Sequence, residues 1–369
     1  MCWIETCLAL SLELGPVCRS PLGGQNFASI GEKFLSDQYA VVLTTINHPT
    51  FAVKEIARRA PELDAQFYLI GDSKSPANFH QDGAHYLDIQ AQKDTGFKFA
   101  ELCPTKHYAR KNIGYLAAMK AGANIIVETD DDNIPLDGFW APRERSVRGK
   151  LVDAKGWCNV YGYYADGVIW PRGLPLERIQ DSLPARSTLS DIVADCPIQQ
   201  GLADDNPDVD AIYRLILPLP LKFKPEGPVV LNKGVWCPFN SQNTTFWRDA
   251  FPLLYLPYHC SFRMTDIWRS FVAQRLIWEC GWTLSFHQST VYQERNEHDL
   301  LHDFKDEVPG YLNNERIKKT LEDLALGSGK GAMLDNLVKA YDALIDLGVV
   351  GAEEAQLVAA WVSDLERMG

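Results

Sequence analysis

The chain of 369 residues contains no apolar run near the roughly 20 residues that span a bilayer. Its opening stretch, MCWIETCLALSLELGPVCRSP, lacks a basic n-region, and Glu5 and Glu13 sit in or beside its apolar segment. That excludes a conventional secretory signal and leaves residues 1–36 as a poorly ordered tail or a badly chosen start. There is no CxxC pair, and the nine cysteines are odd in number and scattered. A disulfide frame and a zinc ribbon are excluded, and reduced core cysteines of a cytoplasmic protein are expected. Cationic excess is also missing: 36 Lys and Arg face 48 Asp and Glu, a net charge of −12. A broad nucleic-acid surface is therefore not expected. A nucleotide ligand stays open, because a metal and a few local cations suffice for its phosphates. No internal repeat is present.

The chain does have β-formers in short runs alternating with helical spacing. YAVVLTTI (39–46), QFYLIGD (66–72), AHYLDI (84–89) and the run 124–129 read as strands. FAVKEIARRAPEL (51–63) has helical spacing, and TKHYARKNIGYLAAMKAGA (105–123) reads as a helix capped by Thr105 and stopped at Gly122. This β-α-β-β-α-β order predicts an α/β domain with a mostly parallel central sheet over 37–300. From 150 to 260 the Pro-, Gly- and Trp-rich sequence reads as long loops and short strands built over the sheet ends. TDIWRSFVAQRLIWECG (265–281) is a strong helix, and 283–299 starts as a strand and turns polar. From about 312 onward the chain is helical, within a C-terminal segment 301–369. Its amphipathic faces fit packing on the main domain or on a second copy of the chain.

NIIVETDDDNIP (124–135) drives three apolar β-formers into three consecutive carboxylates. Like charges repel, and a partly buried carboxylate needs compensation. One reading is a strand ending in an acidic, solvated turn. The other is a metal site at the carboxyl end of a sheet strand, where α/β domains bind ligands. Alternate residues of an extended segment point the same way, so Asp130 and Asp132 are the metal-ligand candidates for Mg²⁺ or Mn²⁺. Asp72 ends another predicted strand. Arg110 shares a helix face with Gly114, Ala117, Ala118 and Ala121, which would put a cation near the strand ends. It either meets a phosphate or the carboxylates, or it snorkels to solvent.

Further along, VIWPRGLPLERI (168–179) sets Arg172 between Pro171 and Gly173, with Arg178 after Pro175. Such a loop is expected to present Arg172 as a bidentate donor to phosphate or carboxylate, unless it serves a structural salt bridge. Asp208 and Asp210 lie two apart beside apolar neighbours. Asp266 precedes the helix from 267, where it either caps or orients a sugar hydroxyl or acts as a base. His287 and His298 are late histidines that could ligate a metal, though surface or core roles are commoner.

Taken in order, QAQKDTGF, YARKNIGYLAAMKAGA, IWPRGLPLE, IQQGLADDNPDVDAIYRL, PFNSQNT and RSFVAQRLIWECG resemble the catalytic-like domain of the STELLO proteins over residues 39–295. More distantly, the acidic triplet, the Arg-Gly of PRGLPLER, DVDA and TDIW are similar to the reversibly glycosylated polypeptides, which are UDP-arabinose mutases. The resemblance implies a GT-A-like fold that binds a UDP- or GDP-linked sugar with Mn²⁺ or Mg²⁺. Carried over from the mutases, metal and nucleotide-sugar binding fall on Asp130–Asp132. Their two active-site arginines fall on Arg172 and, with spacing off by one, Arg178. The expected nucleotide-sugar site gathers Thr44, Asp72, Lys74, Arg110 and Asp130, with Arg172, Arg178, Asp210 and Asp266 serving catalysis. Plant STELLO proteins are Golgi-anchored and carry a further domain that this sequence does not show, so a role in cellulose synthase assembly is not transferred. Glycosyl transfer is the leading expectation. A pyranose–furanose mutase and a non-catalytic scaffold are the alternatives.

Overall fold

The computed structural model describes residues 38–294 and 299–368. The expected tail over 1–36 and His298 lie outside them. The strands are β1 (Tyr39–Thr44), β2 (Gln66–Ile70), β3 (His85–Leu87), β4 (Ile125–Thr129), β5 (Asn133–Pro135), β6 (Ser146–Val152), β7 (Gly156–Trp157), β8 (Ser190–Asp195), β9 (Ile198–Asp204), β10 (Val229–Leu231), β11 (Val235–Trp236), β12 (Asn243–Trp247) and β13 (Leu284–Gln293). The helices are α1 (Phe51–Arg59), α2 (Ile89–Asp94), α3 (Lys98–Leu102), α4 (Lys111–Lys120), α5 (Ala211–Ile216), α6 (Thr265–Ile277), α7 (Leu300–Asp323), α8 (Met333–Asp346) and α9 (Glu354–Glu366). An eleven-stranded sheet runs β3-β2-β1-β4-β12-β9-β13-β10-β6-β8, with β5 paired to β13. The expected α/β layout with a C-terminal helical region is present.

The parallel block β3-β2-β1-β4 positions the candidate site. Its inner strands are largely apolar because helices cover both faces. Thr50 caps α1 by accepting from the Val53 amide at 3.2 Å. On the other face α4 lies close to the sheet at Gly114, where a Cβ would stand 2.6 Å from Val42 and 2.8 Å from Ile70. The small-residue face read from the sequence is thus a packing requirement. The helix starts later than the spacing suggested. Lys106 has φ +66, and Tyr108–Arg110 form a 3₁₀ turn capped by His107, not Thr105.

Between 150 and 260 the sequence reading saw loops and short strands, and the structure adds full members of the central sheet. β9 and β12 escaped notice because they bury polar side chains: Gln199, Gln200, Asn243, Thr244 and Thr245. Gln200 alone links four groups, donating to Gly201 O and Asn243 O and accepting from Asn240 N and Thr244 Oγ1. A satisfied polar network of this kind erases the apolar alternation that marks a strand. Likewise α7 begins at 300, well before 312, and carries Pro309 inside it. No described helix is long and apolar enough to cross a membrane.

Beneath the site lies a sealed ion pair. Glu128 of β4 and Arg269 of α6 are 0% and 1% exposed and meet at 2.7 and 3.2 Å. The Tyr115 hydroxyl also donates to Glu128, and Arg269 donates to Asn240 O at 3.1 Å. The guanidinium lies 5.3 Å from the ring centres of both Phe239 and Phe246. Removing one partner strands a buried charge. We therefore expect Arg269→Met to lower unfolding free energy by about 3–5 kcal/mol, with part recovered in Glu128→Gln/Arg269→Met. Urea titration decides the point, and a single variant as stable as wild type would show that the pair does not hold β4 to α6.

Candidate active site

β4 delivers the acidic triplet to the carboxyl end of the parallel block. Asp130–Asp132 do not continue as an extended strand there. The Asn133 amide donates back to Asp130 O at 3.2 Å, and the chain turns into β5. All three carboxylates then line one cleft of about 260 Å³, instead of only the alternate pair. Each is oriented by a protein donor. Lys111 Nζ lies 2.7 Å from Asp130 Oδ1, Thr45 Oγ1 donates to Asp131 Oδ2 at 2.5 Å, and Gln293 Nε2 donates to Asp132 Oδ2 at 3.0 Å. Burial raises the pKa of Asp130. Lys111 pulls it back, and the neighbouring charges of Asp266 and Asp131 push it up again.

Lys111 was not foreseen. It is fully buried, and its three protons go to Asp130, Thr129 O at 2.9 Å and Ser241 O at 3.2 Å. The sequence reading gave the cation near the carboxylates to Arg110, one position earlier. Arg110 turns instead toward Gln92 Oε1 at 2.7 Å and Cys103 O at 2.7 Å. It lines a second cleft of about 300 Å³ with Thr45, Asn47, Gly71, Asp72, Lys74, Lys106 and His107. The two clefts share Thr44, Tyr108, Asp131 and Phe262. Asp72 accepts from the amides of Ser73, Lys106 and His107 at 2.5, 2.8 and 3.0 Å. Burial alone would raise its pKa, but these amides hold it below the usual value. The residue therefore clips the loop after Pro104 to the end of β2.

On the far wall Arg172 is 5% exposed, not presented as its loop suggested. Gly173, at φ +90, packs so tightly that a Cβ would stand 2.4 Å from Ile267. All five guanidinium donors of Arg172 are used inside the protein. Nε and Nη2 pair with Asp208 at 2.8 and 2.9 Å, Nη1 and Nη2 reach Asp266 at 3.1 Å each, and Nη1 also meets Arg263 O. Its donors are thereby committed to two carboxylates, which it orients. Burial pushes Asp266 up, yet Arg172 and Arg269 outweigh it and hold the carboxyl at about 2. Asp266 sits in the first turn of α6 and accepts from the Ser241 amide at 3.1 Å, so it does not cap its own helix.

The remaining expected residues lie elsewhere. Arg178 is on a surface turn, 3.6 Å from Asp181, and lines neither cleft. Asp210 is fully buried as the cap of α5, accepting from Tyr213 N and Trp170 Nε1 at 2.7 Å each. Burial raises its pKa to about 6. Its neighbour Asp208 is the acid that reaches the cleft. His287 is set in β13 with Nδ1 2.9 Å from Gln288 O, and burial lowers its pKa to about 4. Among the described residues no three His, Cys, Asp or Glu side chains form a ready-made metal cage. One or two oriented carboxylates in a crowded negative cleft do suit Mg²⁺ or Mn²⁺, which accept waters and ligand phosphates as the other ligands.

In class, this is an α/β domain whose parallel strand ends carry an acidic triplet. The family model of the STELLO glycosyltransferases matches residues 263–369. The chain is 28% identical to probable glycosyltransferase STELLO2 and 27% to probable glycosyltransferase STELLO1, both of Arabidopsis thaliana, each match covering 91% of this chain. It spans 45% of the length of either relative. Over these spans the chain is similar to the STELLO glycosyltransferases. Among solved structures, glucosyl-3-phosphoglycerate synthase from Mycobacterium tuberculosis with Mn²⁺, UDP-glucose and phosphoglyceric acid aligns at TM-score 0.39 and 12% identity. That alignment covers 79% of this chain and 84% of the other. The same enzyme with Mg²⁺ and UDP aligns at 0.37, with the same identity and coverage.

The Arg172 cluster gives a pH-dependent test. Asp266 is held below its unfolded pKa, so its pairing stabilises the fold above pH 4 and is lost as pH falls toward 2. Arg172→Met is expected to cost about 3–5 kcal/mol at pH 7, because two carboxylates lose their cation. The gap from wild type should narrow below pH 4. Denaturant titrations at pH 7, 4 and 3 check this, and a pH-independent gap would remove the ion cluster as its cause.

Proposed function

We propose that the chain is a metal-dependent glycosyltransferase acting on a nucleoside-diphosphate sugar. The observation that carries this reading is the meeting of two clefts at Asp131, beside an oriented carboxylate triplet at the end of a parallel block. The nucleoside would lie in the cleft between the ends of β1 and β2, with Lys74 and Lys106 on its wall. The diphosphate would cross at the triplet. The sugar would face Asp208, Asp266 and the amide side chains of Asn240 and Gln242.

Asp130 and Asp132 are the residues that would hold Mn²⁺ or Mg²⁺, with Asp131 directed to Thr45 and Asn47. Bound there, the cation supplies charge neutralisation for the diphosphate leaving group. In the transfer, the bond from the anomeric carbon to the phosphate oxygen breaks with its electron pair on the diphosphate. An acceptor hydroxyl oxygen forms the new bond to that carbon, and its proton passes to the departing diphosphate. Lys111 keeps Asp130 oriented and adds a fixed positive charge beside the diphosphate path. Asp266, ionised over the physiological range, accepts hydrogen bonds from sugar hydroxyls. Its low pKa makes it a weak base and a good orienting group.

The mutase alternative draws no support from its two arginines, since Arg178 is remote and Arg172 spends its donors on Asp208 and Asp266. Incubation with UDP- and GDP-sugars and Mn²⁺, followed by NMR, separates nucleotide release from ring isomerisation. Release is the expected signal, and isomerisation without release would establish the mutase. Asp132→Asn should keep the melting temperature and lower turnover by about 10²–10³, the scale of losing one preorganised charge contact. Turnover equal to wild type, or unchanged by EDTA, would end the metal-bridge reading.

A further inference from the structure

We infer that Phe262 is the specificity wall for the nucleobase, and that the C-terminal helices α7 and α9 hold it in place. The inference rests on the nucleotide-sugar reading above. Phe262 is 45% exposed, a large apolar side chain left open where both clefts meet. Its ring stands nearly perpendicular to two others that line the second cleft: His107 at 4.9 Å and 70°, and Tyr108 at 4.9 Å and 81°. His107 and Tyr108 are themselves parallel to within 11°. The three rings make an aromatic corner. A flat heterocycle can lie on one wall and set its edge against the other, as rings prefer.

The loop carrying Phe262 is clamped on both sides by helices distant in sequence. From α9, Glu354 is fully buried and accepts from the amides of Tyr258 at 3.1 Å and His259 at 2.7 Å, and from the Tyr255 hydroxyl. The Gly351 amide donates to His259 O at 2.7 Å. From α7, Glu307 takes Arg263 Nη2 at 2.9 Å, and Asp306 O accepts from the Ser261 hydroxyl. Tyr108 closes the loop on the cleft side by donating to Phe262 O at 3.2 Å. A buried carboxylate whose partners are mainly backbone amides of one loop fixes that loop's path. Glu354 is in this sense a positioning residue.

Calorimetric titration with UDP, ADP, GDP and inorganic pyrophosphate, each with Mn²⁺, tests the inference. Wild type should bind at least one nucleoside diphosphate more tightly than pyrophosphate. Phe262→Ala should weaken that nucleotide roughly tenfold to a hundredfold, the range for losing one base–aromatic stack. Pyrophosphate binding and the melting temperature should stay unchanged, and Phe262→Trp should retain the affinity. Glu354→Gln should shift binding in the same selective way, weakening the nucleotide and sparing pyrophosphate. Nucleotide binding unchanged in Phe262→Ala overturns the wall while leaving the nucleotide-sugar reading intact. Equal losses for nucleotide and pyrophosphate in Glu354→Gln overturn the clamp. A wild type that binds none of the diphosphates overturns the underlying reading, and this inference with it.

Discussion

The guanidinium of Arg269, sealed against Glu128, keeps the two walls of the cleft facing each other. Glu128 stands two residues before Asp130, and Arg269 stands three after Asp266. One ion pair therefore sets how far the acidic triplet lies from the carboxylate opposite. A pair this deep contributes little net stability over an apolar substitute. It does impose a single geometry, because a shifted register would leave two charges without water or partner. The Tyr115 hydroxyl and Asn240 O add two further hydrogen bonds to it.

Above that pair the protein concentrates negative charge and answers it with cations that have no donors to spare. Lys111 has three acceptors for three protons, and Arg172 has five for five. Neither can turn toward a ligand without giving up a bond it already makes. In the proposed reaction both act by orienting carboxylates, as groups behind metal ligands generally do, and Lys111 acts by its fixed charge as well. Charges presented this way lose little reorganisation energy when a ligand arrives.

The parallel block was legible in the sequence because strands covered on both faces are written as unbroken apolar runs, and the triplet stood out against Ile125, Ile126 and Val127. Elsewhere the sequence signal failed for identifiable reasons. β9 and β12 carry Gln200 and Asn243 into the interior, so their strand pattern is hidden by a polar network. Pro309 sits inside α7, well past its first turn, where proline ordinarily breaks a helix, so the sequence around it does not show the start at 300. At the site the errors were offsets of one or two positions. Arg110 drew attention while Lys111 faces Asp130, and Asp210 drew it while Asp208 reaches the cleft. A step of one residue on a helix turns a side chain by about 100°. Residue type and position alone cannot choose between such neighbours. The Arg172 loop was read as presenting its side chain, and the Ile267 contact at Gly173 folds it inward.

The grip of Glu354 on the loop before α6 also bears on the order in which the molecule becomes competent. A chain is made from its N-terminus, so β1, β4 and the triplet emerge long before residue 354 does. Until then the amides of Tyr258 and His259 lack the carboxylate that fixes them, and the loop between them and α6 has no settled path. The residues of the acidic turn therefore precede, in order of synthesis, the helix that fixes the wall opposite. In such a design the wall that carries Phe262 is settled only once α9 has docked on its loop.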